Sequence, residues 1–421
     1  MFYPISDSCL SRWCLRSLGA SFKHAPSKWV SGSDVKIIVL GCGNIGSVAA
    51  GDLAHSLPSA EIVVADVNKL RAEKIVAEIG RDNVSGVQVD ASNRSELAST
   101  IRKFNLVVGA LPGFMGFRAC KASILAGVNM VDVSFMPENV MKLHKHALKA
   151  NVCIVPDCGM SPGLGSILVG HAVSQLDKVE SVSMLNGGLP EKPLPPLDYV
   201  ITWSAKDLIE LYTRKANIVR GGKMIQVAAT SGIDEIMFPS VGKLEAVYTD
   251  GLRSLLQTVK VKDMWEKSLR YPGHIEKMNL LRALGFFEED PVQVGDVKVS
   301  PRSLTEKLLE MKLKRPDVPD IVAMLIEVIG LKNGRRIRFR YQMLDRFDRK
   351  RKVTAMARTT AYTASVVSQL VAKNVITEKG VIPPEKLGMN DKLYTKFMNM
   401  MKQRCVTIKE SRKNLQQHLK S

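Results

Sequence analysis

Apolar and polar positions follow one rhythm in the first part of this chain and another in the middle. From Val35, short apolar runs alternate with amphipathic stretches of helical spacing. The runs are Val35 to Leu40, Glu61 to Asp66, Gly86 to Asp90, Leu106 to Ala110, Asn129 to Val133 and Val152 to Pro156. Helices are expected after each of the first five, from Asn44, over Asn68 to Gly80, Ser92 to Phe104, Gly116 to Ala126 and Glu138 to Ala150. Such alternation predicts a parallel sheet buried on both faces and wound by helices on both sides. From about Ser161 the strand-like runs lengthen and fewer helices separate them: Val179 to Leu185, Tyr199 to Trp203, Met224 to Val227, Leu244 to Tyr248, Ile321 to Ile329 and Arg335 to Leu344. That pattern, with helices near Ser204 to Tyr212, Gly251 to Gln257 and His274 to Leu284, predicts a mostly antiparallel sheet in a second α+β domain. Helical spacing returns at Tyr362 to Lys373 and Asp391 to Arg404, and these helices are expected to pack back on the first domain.

The first apolar run leads directly into Gly41-Cys42-Gly43-Asn44-Ile45-Gly46, a GxGxxG at a strand-to-helix turn. The first glycine permits the turn, the second lets backbone approach a pyrophosphate, and the third lets helix pack on strand. The helix start then offers unpaired N–H groups to phosphates. The second run ends in Asp66, placed to accept both ribose hydroxyls, which favours NAD; Asn68, Lys69 and Arg71 follow closely, so NADP stays open. The expected fold is therefore α/β, a Rossmann-type doubly wound parallel sheet plus the second α+β domain. Its divisions are an N-terminal extension over 1–33, a dinucleotide-binding domain over 34–160, a substrate-binding and dimerisation domain over 161–353, and C-terminal helices over 354–421.

A length of 421 residues fits two or three domains, and 45% hydrophobic residues supply their cores. No apolar run approaches a membrane span. Seven scattered cysteines without a CxxC pair argue for a reducing, cytoplasmic setting and against a cysteine-based metal site; no metal is expected. The first 33 residues, with Arg12, Arg16, Lys23 and Lys28 but a poor amphipathic face, read as a disordered tail rather than a targeting segment. A net charge of +19 raises nucleic acid as a partner. The alternation of Arg335-Arg336-Ile337-Arg338-Phe339-Arg340, however, reads as the solvated face of a strand, so neither nucleic acid nor membrane is expected.

Ligands on doubly wound sheets bind beyond the carboxyl ends of the strands, at the point where strand order reverses. Besides Gly41, Gly43, Asn44, Ile45, Gly46 and Asp66, the cofactor-binding candidates there are Asp90, Ala91, Ala110, Leu111, Pro112 and Ser134. Asp157 and Asp132 are candidates for a catalytic base, and Cys158, between Pro156 and a Gly/Pro-rich turn, for contact with substrate. Turn capping and packing are the structural readings of Asp157 and Cys158. In the second domain Trp203, Asp250 and Arg253 are substrate-binding candidates, Arg253 because a guanidinium grips a carboxylate bidentately. His274, at a helix start, is a third catalytic candidate, its pKa depressed by the helix dipole.

Six ordered stretches carry a family likeness: Met130 to Asn139 (MVDVSFMPEN), VPDCGMSPGLGSILVG, GGLPEKPLPPLDYVITWSAKDLIELYTRKA, YTDGLRSLLQT, LRYPGHIEKMNLLRALGFF and GVIPPEKLGM. With the glycine fingerprint they resemble the saccharopine dehydrogenase superfamily, most closely its lysine 6-dehydrogenase group, from about Lys36 to Met389. The resemblance implies NAD-dependent oxidation of the lysine carbon that bears the ε-amine, giving a semialdehyde that cyclises, and a homodimer formed through the second domain's sheet. Saccharopine dehydrogenase is the alternative reading; its substrate brings further carboxylates, for which Arg214, Arg270 and Arg358 are available. A non-catalytic NAD-binding regulator with a basic nucleic-acid-binding surface is a third. The segment between Phe287 and Ile321 and the basic run after Leu331 depart from the lysine 6-dehydrogenase pattern.

Overall fold

The computed structural model describes residues 35–415, so the N-terminal extension lies outside the described residues. Its first unit runs β1 (Lys36–Leu40), α1 (Asn44–Ser56), β2 (Glu61–Asp66), α2 (Lys69–Ile79), β3 (Val84–Gln88), α3 (Arg94–Ile101), β4 (Leu106–Gly109), α4 (Gly113–Ala126), β5 (Asn129–Asp132), α5 (His144–Lys149) and β6 (Cys153–Val155). The strands pair in parallel in the order β6-β5-β4-β1-β2-β3. The order reverses between β1 and β4, which opens a crevice at their carboxyl ends. Ile37, Ile38, Val39, Ile62, Val64, Val107 and Val108 are fully or almost fully buried, as two-sided helical cover demands.

The second unit contains α6 (Leu164–Ser174), β7 (Lys178–Pro190), α7 (Ala205–Thr213), β8 (Ala216–Arg220), β9 (Lys223–Val227), β10 (Asp234–Phe238), β11 (Gly242–Tyr248), α8 (Leu255–Thr258), β12 (Asp263–Arg270), α9 (His274–Ala283), the hairpin β13 (Val292–Val294) and β14 (Val297–Val299), α10 (Pro301–Leu313), β15 (Asp320–Lys332) and β16 (Arg335–Arg346). Its main sheet is ordered β10-β11-β12-β7-β15-β16 and is antiparallel except for the parallel pair β12 and β7. After it come α11 (Ala355–Ala372), β17 (Gly380–Val381), α12 (Pro384–Gly388), α13 (Asp391–Gln403) and β18 (Lys409–Asn414). Helix α11 is buried along nearly its whole length and packs on α1, β4 and β5. Strand β17 extends the parallel sheet beside β6, whereas β18 crosses to the other sheet and pairs with β16.

Three sequence expectations change. Tyr199 to Trp203 forms no strand; its apolar side chains instead pack with Leu208, Ile209 and Tyr212 of α7 in a small cluster of their own. Gly187-Gly188-Leu189-Pro190 reads in the sequence as turn residues that interrupt a strand, yet it continues β7, where a Cβ on Gly187 would press within 2.6 Å of the Leu269 carbonyl. Strand β12, absent from the expected set, is the central member that joins the two halves of the sheet. The basic run on β16 alternates buried and half-exposed positions, and its arginines meet acids of the same sheet, Arg340 with Glu327 on the neighbouring β15 and Arg336 with Glu180 on β7 beyond it. Among the described residues no helix is long and apolar enough to cross a membrane.

Candidate active site

A cavity of about 870 Å³ lies between the two sheets, with the β1/β4 crevice as one half and the face of β7 and β12 as the other. The crevice half is lined by Gly41, Gly43, Asn44, Ile45, Asp66, Asp90, Ala91, Ala110, Leu111, Pro112 and Ser134. Gly46 lies beneath it, where any Cβ would overlap the Gly41 carbonyl, so the third glycine sets the approach of α1 to the turn. A Cβ on Gly43, by contrast, would meet nothing within 4 Å: the backbone there is bare toward the cavity. Neither Gly43 nor Pro112, the residues that cap α1 and α4, supplies a side-chain cap, which leaves helix-end N–H groups directed at an anion. Asp66 is anchored by the backbone N–H groups of Cys42 and Asn68, each at 2.9 Å. A bare glycine turn, an uncapped helix start and a fixed carboxylate fit a dinucleotide's pyrophosphate and ribose.

Two contacts bind the second unit across this crevice. Asn44 donates its side-chain amide to the Thr202 carbonyl at 3.2 Å, and the Gly113 N–H donates to Asp207 at 3.3 Å. Asp207, at the start of α7, thereby serves α4, and burial raises its pKa. Trp203 lines the same wall, its indole N–H directed at the Tyr199 hydroxyl.

The floor of the other half is β12. Its period of two sends Glu266, Ser268 and Arg270 to one face, all three buried and all three lining the cavity. Glu266 accepts from Asn186 of β7 at 2.8 Å and from Thr249 at 2.5 Å, and the Thr249 hydroxyl also meets Ser268 at 2.9 Å. Burial pushes the Glu266 carboxyl up to about 7, against the pull of these two donors. Gly251 makes the room: a Cβ there would sit 2.7 Å from the carboxylate carbon. Arg270 donates to the Tyr212 hydroxyl at 2.6 Å and to the Leu269 carbonyl at 2.7 Å, which fixes the guanidinium while it faces the cavity. Glu266 is not among the site residues expected from sequence, and Arg270 appears there only as one of three arginines available for a further carboxylate. The signal available was polar residues at every second position of Glu266-Lys267-Ser268-Leu269-Arg270.

Six expected residues sit behind the wall. Arg253 directs its Nε at both oxygens of Asp157, 3.3 Å away, and its Nη2 at the Met136 carbonyl at 2.8 Å. Both partners have left-handed backbone, φ 50 for Asp157 and 52 for Arg253, a conformation that the surrounding contacts must hold. Burial raises the Asp157 pKa and the Arg253 charge opposes it. Asp250 accepts from Asn217 and stands 4.0 Å from Arg253. Asp132 is fully buried and pushed up to about 7 by that burial, although Ser134 donates to it twice. Cys158 is buried and its thiol pKa raised, which makes it a packing group. His274 does start α9, but it is sealed between the Leu197 carbonyl at 2.6 Å and the Tyr212 hydroxyl at 2.8 Å. Burial, then the nearby Arg270, lowers its pKa to about 3. Among the described residues no cluster of His, Cys, Asp and Glu could hold a metal ion.

Comparison with known proteins agrees with this layout. Residues 37–155 match the saccharopine dehydrogenase NADP binding domain, and residues 159–406 the saccharopine dehydrogenase C-terminal domain. The bovine mitochondrial alpha-aminoadipic semialdehyde synthase is 23% identical over 70% of this chain, which spans 33% of that protein. The NADP(+), L-glutamate-forming saccharopine dehydrogenase of Pyricularia oryzae is 20% identical, with 69% of this chain and 66% of that one covered. The apo saccharopine dehydrogenase (L-Glu forming) of Saccharomyces cerevisiae shares the fold, with a TM-score of 0.73 at 16% identity over 90% of this chain and 100% of that one. Both domain matches fall in order on the two units that enclose the cavity, and the chain belongs to the saccharopine dehydrogenase family.

Proposed function

We propose that the chain is an NAD-dependent dehydrogenase acting on the carbon–nitrogen bond of an amino acid, with L-lysine oxidised at its ε-carbon. The carrying observation is the charge of the substrate half. Among the described residues lining that half, Arg270 is the one cation, whereas Glu266 and Asp207 are carboxylates. The remaining lining cations are each paired with an acid: Arg71 with Asp66 at 3.8 Å, Lys74 with Glu78 at 3.7 Å and Lys314 with Glu310 at 3.1 Å. Lysine brings one carboxylate for Arg270 and an ammonium for the acids. Saccharopine adds the carboxylates of glutamate, and the other arginines are committed elsewhere: Arg253 to Asp157, Arg358 to Asp345 and Asp348, Arg214 to Glu210 and Asp250. A saccharopine dehydrogenase is the second reading, favoured by the names of the relatives.

The bound dinucleotide supplies the hydride acceptor. The chain's own residues do the rest. Arg270 holds the α-carboxylate. Glu266, titrating about 7, takes the proton of the substrate ammonium, whose ordinary pKa of about 10.4 falls as the cavity strips its water. Asn186 and Thr249 keep the carboxylate aimed; after releasing that first proton to solvent, Glu266 takes a proton from the water that adds to the imine and returns it to the nitrogen, which leaves as ammonia. Met160, Met356 and Trp203 give the cavity an apolar wall for the substrate's methylenes. With saturating NAD, lysine is expected to yield NADH and a cyclic product trapped by o-aminobenzaldehyde. Turnover of saccharopine with none of lysine would overturn the reading.

Asp66 sets the preference for NAD, since a 2′-phosphate would face its carboxylate. Asp66→Ser removes that repulsion and leaves Arg71 beside the ribose, so the ratio of kcat/KM with NADP to that with NAD is expected to rise by at least about tenfold. An unchanged ratio would place the discrimination elsewhere.

A further inference from the structure

A second groove, about 1250 Å³, runs along the outer side of α1 and is separate from the substrate half of the first cavity. Its walls come from three parts of the chain: α1 and the end of α2, the segment after β16, and the helices α11 and α13. Its charge is strongly one-sided. Both lining acids are neutralised, Asp52 by Arg404 at 2.9 Å and Glu78 by Lys74 at 3.7 Å. Against them stand Arg81, Arg351, Lys352, Lys373 and Lys396, and among the described residues only Arg351 has a carboxylate within 4.0 Å. Arg81 carries a further mark: its Nε–H is closed off from solvent and meets no acceptor among the described residues. A buried charged donor without a partner is costly, so the half-buried Arg81 side chain gains by turning its guanidinium toward an anion held in the groove. The segments outside the described residues, 1–34 and 416–421, hold Asp7 and Asp34 as their only acids, too few to balance the groove.

We propose that this groove is a binding site for a small polyanion of the triphosphate class, which joins the two units beside the cofactor half of the first cavity, with which the groove shares Asn44, Ile75 and Glu78. Arg351 and Lys352 approach from the second unit, Arg81 from the first, and Lys373 and Lys396 from the C-terminal helices, so one ligand neutralises all three. A nucleic-acid strand fits less well. The groove's lining holds five cations besides Arg404 but no Phe or Trp, and the one lining tyrosine, Tyr362, is buried and offers no stacking platform, which leaves His55 as the single exposed ring among the described residues.

The test is calorimetric titration of sodium tripolyphosphate into the full chain held in saturating NAD, which keeps the dinucleotide's own phosphate site occupied. The expected result is one site per chain that weakens with added salt. Affinity is expected to fall about tenfold or more in Lys396→Glu and in Lys352→Glu, surface changes that leave the fold alone. The ligand is also expected to raise the thermal midpoint of the unmodified chain but not of those variants. ATP in a parallel arm decides the source: affinity equal to tripolyphosphate marks the free polyphosphate group as the recognised element, and tighter binding marks a nucleotide. Absence of tripolyphosphate binding, binding that both variants retain, or binding of duplex DNA alone would each overturn the proposal. NADH formation from lysine is not required for any of these readouts, so this site and the reaction stand or fall separately.

Discussion

Arg270→Ala is expected to lower kcat/KM for lysine by about thirtyfold to several thousandfold, because truncating one partner of a buried, hydrogen-bonded charge pair costs about 2–5 kcal/mol. Cadaverine, which is lysine without its carboxylate, separates the lost charge pair from general damage. The unmodified chain is expected to turn cadaverine over poorly, and Arg270→Ala no worse than that, so the two losses do not add. Affinity for NAD is expected to hold, since Arg270 projects from β12 and Asp66 from β2 on the opposite side of the cavity. A variant that loses cadaverine and lysine turnover equally would point to collapse of the Tyr212 and His274 contacts that Arg270 supports, not to loss of a carboxylate anchor.

Glu266→Gln is expected to lower kcat by about a hundredfold to ten-thousandfold, the usual worth of a positioned acid or base. The pH dependence carries more information than the rate. In the unmodified chain kcat/KM rises with pH through about 7 as the carboxyl ionises, and in the variant that limb disappears. Stability is expected to move the opposite way. Burial holds the folded-state pKa at about 7, above the ordinary value of 4.5, so the folded chain retains a proton that the unfolded chain releases. The corresponding stabilisation is full below about pH 4.5 and is lost as the pH rises toward 7. Glutamine cannot ionise, and the variant should therefore be more stable than the unmodified chain at pH 8, by on the order of 3 kcal/mol, with little difference at pH 4. A purely structural carboxylate would give a variant that is less stable at both pH values and unchanged in its pH–rate profile.

The cofactor half of the site was legible in the sequence because it is local. Strand, glycines, helix and Asp66 follow one another within thirty-odd residues, and each type has a backbone or hydrogen-bonding reason to be where it is. The substrate half was not, for two reasons. Strand β12 reads as a polar segment, since its buried faces hold Glu266 and Arg270 on one side and Lys267 on the other. Lys267 is tolerated there by Asp234 and by the Tyr248 ring 4.3 Å away, partners that only the folded sheet supplies. Asp157 and Arg253 stand out in the sequence as charged groups in turn-rich segments. Nothing local reveals that they satisfy each other across 96 positions of chain. Tyr199 to Trp203 misled for the converse reason: an apolar run long enough for a strand is equally served by a loop whose rings fill a gap under α7.

A crystal structure of the Glu266→Gln variant with NAD and lysine bound tests the central claim most directly, because slowed chemistry holds the substrate in place. The expected density shows the α-carboxylate on the Arg270 guanidinium and the ε-nitrogen within hydrogen-bond reach of position 266 and Asn186. Lysine seated with its carboxylate on Arg253, the Asp157 pair opened to receive it, would contradict that assignment of the site.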